Sequence, residues 1–443
     1  MGKIFKRVLA LFVVVAFLGG MPCQAFAQAT LDDILKRVEA LEKENAALKA
    51  EVMELKNKPA PAAVVAAAPA AAAPSGNFLK TKFDMELYGF IKVDAVYSDS
   101  EAALGTAATN GAAASYNAPS NTLKKHQGDF NMSGQDIRLG INFKPAVMDD
   151  GGKVGGKFEM DFAGNPSAQA TYTPRLRHAY ITLDYDKWGV TAGHTWDFFA
   201  PLNTNLLNSG NAWRAGNIGH RHPQAYLTNK WGKILGGDVA TKVGIIDSDD
   251  LYQENSKTPV VGVYASYDTK IMGVASNFGV GGIAGQSSTD ALGTSEGNKS
   301  NDIYAVTLNS TLKFTDWLAL KAEGFEGSRL DRFYVNNAVG TNNTSYNATT
   351  KGLRTIGGFM ELTYNPLKKV ETNFGMGIDQ LMNDKNTVTS AAWSSNDTYW
   401  TNIKYSLTKD LILGLEYQRF NTNWVTGVDS TDNRVQSSLI YKF

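Results

Sequence analysis

From about residue 80 onward, apolar and polar positions alternate with period two, the signature of strands with one greasy and one wet face. In 85–97, Leu87, Gly89, Ile91, Val93 and Ala95 share one face and Lys92 and Asp94 the other. Ile137, Leu139, Ile141 and Phe143 oppose Asp136, Arg138 and Asn142, and Phe158, Met160 and Phe162 oppose Lys157, Glu159 and Asp161. Val370, Thr372, Phe374, Met376 and Ile378 oppose Glu371, Asn373 and Asp379; Leu411, Leu413, Leu415 and Tyr417 oppose Glu416 and Gln418. Sixteen such segments are predicted, at 85–97, 131–144, 153–163, 175–185, 188–196, 224–231, 234–246, 259–267, 271–285, 302–313, 317–327, 352–364, 368–379, 396–407, 411–421 and 433–443. The fourth, RLRHAYITLDY, has no clear parity.

The connections alternate in length. Seven are tight, such as Asp186-Lys187, Gly232-Lys233, Asn365-Pro366 and Thr408-Lys409; eight are longer, notably 98–130, 197–223 and 328–351. Every tight turn has an aromatic beside it: Phe143, Tyr185 with Trp188, Trp231, Tyr267, Phe314 with Trp317, Tyr364 and Tyr405. An even strand count, short turns at one rim, long loops at the other and an aromatic girdle describe a transmembrane barrel of the bacterial outer membrane. A soluble β-sandwich would not require an aromatic at each short turn. The expected fold is all-β, a 16-stranded antiparallel transmembrane barrel over 80–443.

The period upstream is different. Leu31, Val38, Asn45 and Val52 occupy a positions of four consecutive heptads, and Ile34, Leu41, Leu48 and Leu55 occupy d. Arg37–Glu42, Glu44–Lys49 and Glu51–Lys56 are opposite-sign g–e pairs, which favour a parallel coiled coil over 30–58 with Asn45 fixing its register. Residues 59–79 read as an Ala/Pro linker (PAPAAVVAAAPAAAAPSGN over 59–77), an extended spacer without chemistry. Residues 1–29 read as a cleaved secretory signal: Lys3, Lys6 and Arg7 precede the apolar core Val8–Leu18, with small-x-small sites ending at Ala27 and Ala29. Met21-Pro22 before Cys23 makes a poor lipobox. The chain is thus expected in the outer membrane, with the coiled coil in the periplasm.

Composition agrees. Of 443 residues, 19% are charged and 42 are Gly, and 11% are aromatic. Beyond the signal no apolar run approaches the roughly 18 residues of a membrane helix. Forty-three basic residues balance 43 acidic ones, leaving no basic excess for nucleic acid. One cysteine rules out a disulfide framework and thiolate metal sites.

The stretches LYGFIKVDAVY (87–97), GQDIRLGINF (134–143), GKFEMDF (156–162), PRLRHAYITLDY (174–185) and WGVTAGHTWDFFAP (188–201) resemble trimeric outer-membrane porins. With the coiled coil, the chain resembles the DcaP-like porins. The resemblance implies sixteen strands, a homotrimer, a third loop folded into the lumen (here 197–223) and dicarboxylate substrates. The terminal RVQSSLIYKF, ending in Phe443, is similar to the signal read by the barrel-assembly machinery. Val at a, Leu at d and one buried Asn favour a dimer, whereas the resemblance implies a trimer; barrel–barrel packing should outweigh four heptads.

Function should lie in the narrowest ring of pore side chains. Asp197 is the only acid of the third loop, against Arg214, His220, Arg221 and His222. The facing wall offers Lys92, Arg138 and Lys157, with Arg175 and Arg177 on the ambiguous strand; Asp94, Asp136, Glu159 and Asp161 dilute this positive field. The expectation is passive diffusion of small hydrophilic solutes with a weak to moderate preference for anions such as carboxylates. A non-selective sieve, with an added envelope-tethering role for the coil, is the alternative. No cofactor is expected. His220-x-His222 lacks a firm third metal ligand but raises the prospect of a conductance step near pH 6. No nucleophile–base–orienter set stands in a recognisable motif, so an enzyme is not expected.

Overall fold

The computed structural model describes residues 84–99, 128–164, 172–247, 258–289, 299–333, 335, 354–382, 393–425 and 429–443. The signal segment, coiled coil and linker lie outside the described residues, as do parts of the long loops.

The strands are β1 (Met85–Ser98), β2 (Asp129–Ser133), β3 (Arg138–Val147), β4 (Lys153–Asp161), β5 (Arg175–Asp184) and β6 (Trp188–Trp196). After the third long connection come β7 (Arg221–Ile234), β8 (Gly237–Ile246), β9 (Val260–Ile271), β10 (Val274–Thr289), β11 (Lys299–Thr315) and β12 (Leu318–Ser328). The last five are β13 (Arg354–Leu367), β14 (Val370–Leu381), β15 (Trp393–Ser406), β16 (Leu411–Trp424) and β17 (Asp429–Lys442). Each pairs antiparallel with its neighbours in sequence, except that β2 and β3 both pair with β1 and not with each other; β1 also pairs with β17 from Phe90↔Lys442 to Ser98↔Arg434, closing the sheet. At the seam, Gly89 N–H donates to the Phe443 carbonyl and Phe443 N–H to the Gly89 carbonyl, both at 3.1 Å. Both β2 and β3 lie on β1, so they are one strand interrupted at 134–137 and the barrel has sixteen staves.

The alternation sorts the residues as expected. On β1, Leu87 (61%), Ile91 and Val93 are exposed on the outer face, where lipid replaces water; Lys92 and Asp94 (1%) are buried on the inner one. Half of every strand facing a polar lumen explains the chain's negative mean hydropathy. Near the short-turn rim, Trp188, Trp231, Phe314, Trp317 and Tyr364 are exposed, and Tyr185 stacks on Trp188 at 4.3 Å.

Three local expectations need correction. The β7–β8 turn is Leu235-Gly236 and not Gly232-Lys233: Leu235 (φ 49°) and Gly236 (φ 86°) form the left-handed pair that a two-residue hairpin demands. Gly232 (φ 77°) instead serves a bulge between Lys230 and Gly232. The β13–β14 turn is at 368–369, because the strand continues through Asn365-Pro366 with another register shift. In both cases a bulge near the membrane edge imitates a turn in sequence. The segment expected over 131–144 is broken: Gln135 and Asp136 are both buried, which ends the alternation and brings Asp136 to Lys92.

Many aromatics lie flat against the wall over a glycine of the adjacent strand. A Cβ at Gly140 would strike the Tyr88 ring, one at Gly279 the Tyr264 hydroxyl and one at Gly375 the Trp400 indole. The glycine-rich composition therefore keeps inward aromatics out of the channel's middle.

Candidate pore constriction

The third long connection turns inward and spans 197–220, slightly shorter than expected; Arg221 and His222 belong to β7. Asp197 fastens its base. One carboxylate oxygen accepts the His220 N–H at 2.7 Å, and the other contacts His222 Nδ1 at 2.7 Å. Phe198 and Phe199 then join Ile218, Ile246, Val260, Tyr264, Ile283 and Ile303 in an apolar cluster between loop and wall. This burial excludes water from the loop's foot and supplies its hydrophobic stabilisation.

Further along, the loop's backbone donors meet carboxylates of the wall formed by β12–β16. Asn205 N–H reaches both Glu361 oxygens (3.0 and 2.8 Å); Leu207 and Asn208 N–H reach the two Glu416 oxygens (2.6 and 3.0 Å). On the way back, Gly216 N–H donates to Asp379 at 2.9 Å. Here Gly216 (φ 116°) passes so close that a Cβ would collide with the Gly358 carbonyl oxygen, so this contact requires glycine. Lys321 donates to the Asn203 carbonyl (2.8 Å), and from β1 Lys92 donates to the Leu207 carbonyl (2.8 Å). The loop is a strap across the lumen, held at both sides. Between it and the short-turn rim lies a cavity of about 760 Å³ bordered by Lys92, Arg138, Leu207, Glu371, Lys404 and Lys442.

The wall from β1 to β7 gathers the other charges. Lys92 pairs with Asp94 (2.8 Å) and Asp136 (2.9 Å). Glu159 is a hub: the Tyr88 hydroxyl donates to it at 2.7 Å and Arg177 pairs with it at 2.7 Å, while Lys157 (3.7 Å) and Arg138 (3.9 Å) lie farther off. Asp161 takes Arg175 in two hydrogen bonds, 2.9 and 2.7 Å, and Arg177 at 2.7 Å. The uncertain parity of β5 has a physical cause. Glu159 faces His178 and Met160 faces Leu176, so Arg177 is an extra residue in a bulge and both Arg177 and His178 turn inward. Arg221 lies over the Trp196 ring at 4.6 Å, a cation–π contact.

Thus Lys92, Asp94, Asp136, Arg138, Lys157, Glu159, Asp161, Arg175, Arg177 and Arg221 come together on one wall. Asp197, His220 and His222 form the strap's latch, and Arg214 sits apart, its carbonyl accepting from Asn396 at 2.7 Å. Among the wall residues six cations stand against four carboxylates, each of which is paired with at least one of them or, for Asp94 and Asp136, shares Lys92. Sequence reasoning missed the strap's receptors. Glu416 and Asp379 stood on polar faces of their strands, but nothing in the chain indicated that backbone amides from 160–210 residues away would occupy them.

The His220 side chain is pushed well below its usual pKa, first by burial and then by the Arg221 guanidinium beside it. Its Nε2 lies 3.1 Å from Arg221 Nη2; guanidinium only donates, so His220 accepts there and is neutral. The step near pH 6 is therefore not expected from His220. Among the described residues no three His, Cys, Asp or Glu side chains converge on a metal-sized site.

No family model matches the chain, and no curated protein does. Solved structures do. The outer membrane channel DcaP of Acinetobacter baumannii matches with a TM-score of 0.64 at 19% identity, over 82% of this chain and 99% of that one. An anion-selective porin from Comamonas acidovorans matches at 0.53 and 12%, over 81% and 99%. The OmpF of Salmonella typhi, solved with daunomycin, matches at 0.51 and 12%, over 82% and 98%. At these identities the likeness is one of fold: the chain is a closed sixteen-stranded β-barrel of the kind that forms outer-membrane porins and channels, similar to DcaP.

Proposed function

We propose that the protein is an outer-membrane porin through which small hydrophilic solutes diffuse passively, with a weak to moderate preference for anions such as mono- and dicarboxylates. The observation that carries the anion preference is the unequal use of the two sides of the lumen. Carboxylates on β13, β14 and β16 accept backbone N–H groups of the strap, so their charge is met by donors that cannot leave. On β1–β7 the six arginines and lysines of the wall outnumber its four acids, and two of them, Lys92 and Arg138, border the cavity beside the strap. A ring of excess fixed cations lowers the energy of an anion there and raises that of a cation. One structural neighbour, from Comamonas acidovorans, is an anion-selective porin. The protein in this reading is a conduit and not an enzyme.

In this reading the protein sits in the outer membrane as a homotrimer, with the short-turn rim and the coiled coil over 30–58 on the periplasmic side. The coil would align the protomers through Leu31, Ile34, Val38, Leu41, Asn45, Leu48, Val52 and Leu55. Phe443, whose backbone closes the seam onto Gly89, would be the residue read during barrel assembly. Reversal potential across a planar bilayer under a salt gradient tests the function: the sign should be that of an anion-preferring pore. Cation preference that Arg138→Ala and Arg221→Ala leave unchanged overturns it. Heat-dependent gel mobility tests the trimer.

A further inference from the structure

Four inward-facing lysines of the wall are tied to carboxylates: Lys92 to Asp94 and Asp136, Lys157 to Glu159, Lys321 to Glu361 and Lys404 to Glu371. Lys242 on β8 is different. Among the described residues no carboxylate lies within ion-pair distance of it. Its ammonium is instead 5.4 Å from the centre of the Tyr226 ring and 5.6 Å from that of Tyr264.

The backbone explains the arrangement. Lys242 lies directly across from Tyr264 on β9, and Tyr226 on β7 pairs with Gly244, two residues along β8. Gly244 has no side chain to oppose Tyr226, and Gly279 leaves room for the Tyr264 ring. Two aromatic faces thus flank the cation, and the Tyr264 hydroxyl is turned away to donate to Asn309 at 3.2 Å. Ring faces stabilise an ammonium without accepting its hydrogen bonds in the way a carboxylate does. The three N–H donors of Lys242 are left for a ligand that can accept them. The site adjoins the constriction, because Phe198 at the foot of the strap packs on Tyr226 at 4.7 Å.

We infer that Lys242, braced by Tyr226 and Tyr264, is a discrete binding post for a small anion beside the constriction. It rests on the anion-preferring porin reading above and adds to it a place where the permeating anion pauses. A field of paired charges speeds anions without binding them; an unpaired cation with open donors holds one at a time. The conductance should therefore saturate with anion concentration.

The test uses the purified full-length oligomer in planar bilayers, with potassium chloride and potassium acetate as probes. Wild-type conductance should level off as salt rises. Lys242→Gln should raise the half-saturating chloride concentration about five-fold, the change in occupancy that one unit charge at contact distance across water gives. Lys242→Arg should keep the wild-type value. Lys242→Met, which preserves the apolar stem, provides the same reading if the Gln variant does not insert as a heat-modifiable oligomer. An anion-selective wild type whose conductance is linear in salt, or is unchanged by Lys242→Gln and Lys242→Met, overturns the post and leaves the porin reading standing. A cation-selective wild type overturns both.

Discussion

The two sides of the lumen carry similar residue types and use them differently. On β12–β16 the carboxylates of Asp379 and Glu416 are buried and face backbone amides of the strap, and Glu361 takes a strap amide together with Lys321. On β1–β7 the carboxylates of Asp94, Asp136, Glu159 and Asp161 are equally buried but face arginine and lysine. An amide hydrogen bond fixes geometry and leaves the local charge negative but enclosed; an ion pair cancels charge and leaves any extra cation to set the field. One side therefore positions the constriction, and the other sets its selectivity. A total count of charges, balanced at 43 against 43, conceals this division.

The largest expected effect comes from breaking the ion-pair side at its centre. Arg177→Ala leaves Glu159 and Asp161 short of their nearest common partner, which should cost roughly 3 kcal/mol of stability. Chemical unfolding in detergent micelles reads that loss, and the reversal potential of the surviving pores should move toward cations. An unchanged reversal potential would mean that the β1–β7 wall does not set the field.

The opposite side should respond in the opposite way. Glu416→Ala removes the acceptor for two strap amides, a loss of about 1–3 kcal/mol where buried donors go unsatisfied. Single-channel recordings should show larger or noisier conductance as the strap loosens, with little change in anion preference. Were Glu416→Ala to shift selectivity as far as Arg177→Ala does, the division between the two sides would be wrong.

The packing that keeps the lumen open offers a third test. Gly140→Val forces the Tyr88 ring off the wall and away from Glu159, and such overpacking costs about 1–3 kcal/mol. Lower single-channel conductance is expected, and Gly140→Val combined with Tyr88→Ala should recover it.

The smallest effect concerns pH. His220 in the folded protein has a pKa below its unfolded value, so the unfolded chain binds the extra proton first. The stabilisation is complete above the unfolded value and declines as pH falls below it, because the unfolded state then gains protons that the folded state refuses. His220 should contribute no conductance step near pH 6, and any acid loosening that it governs should begin below that pH. A His220→Gln variant that abolishes a conductance step near pH 6 would contradict the neutral latch.

The barrel was legible because its period-two pattern is imposed by lipid on one side and water on the other, strand after strand. Leu87, Ile91 and Val93 against Lys92 and Asp94 leave only one way for β1 to face. Legibility failed where backbone geometry intervened. The bulge at Arg177 hid the parity of β5, and the bulge at Gly232 looked like a turn because glycine serves both. The basic wall was readable in part: Lys92, Arg138 and Lys157 stand on cleanly alternating faces, whereas Arg175 and Arg177 lie on the strand whose parity the bulge hides. Its pairing was not, because Glu159 chooses among Arg138, Lys157 and Arg177 by distances that no local pattern encodes. The strap's receptors were least readable of all. Glu361 and Asn205 are 156 residues apart, and their contact exists only once the barrel has closed around the loop.

The division of labour between the two sides is tested most directly by reversal potentials of three proteins in the same salt gradient: wild type, Arg177→Ala and Glu416→Ala. Anion preference in the wild type, lost in Arg177→Ala and retained in Glu416→Ala, is the predicted result. Cation preference in the wild type, or equal shifts in the two variants, would contradict it.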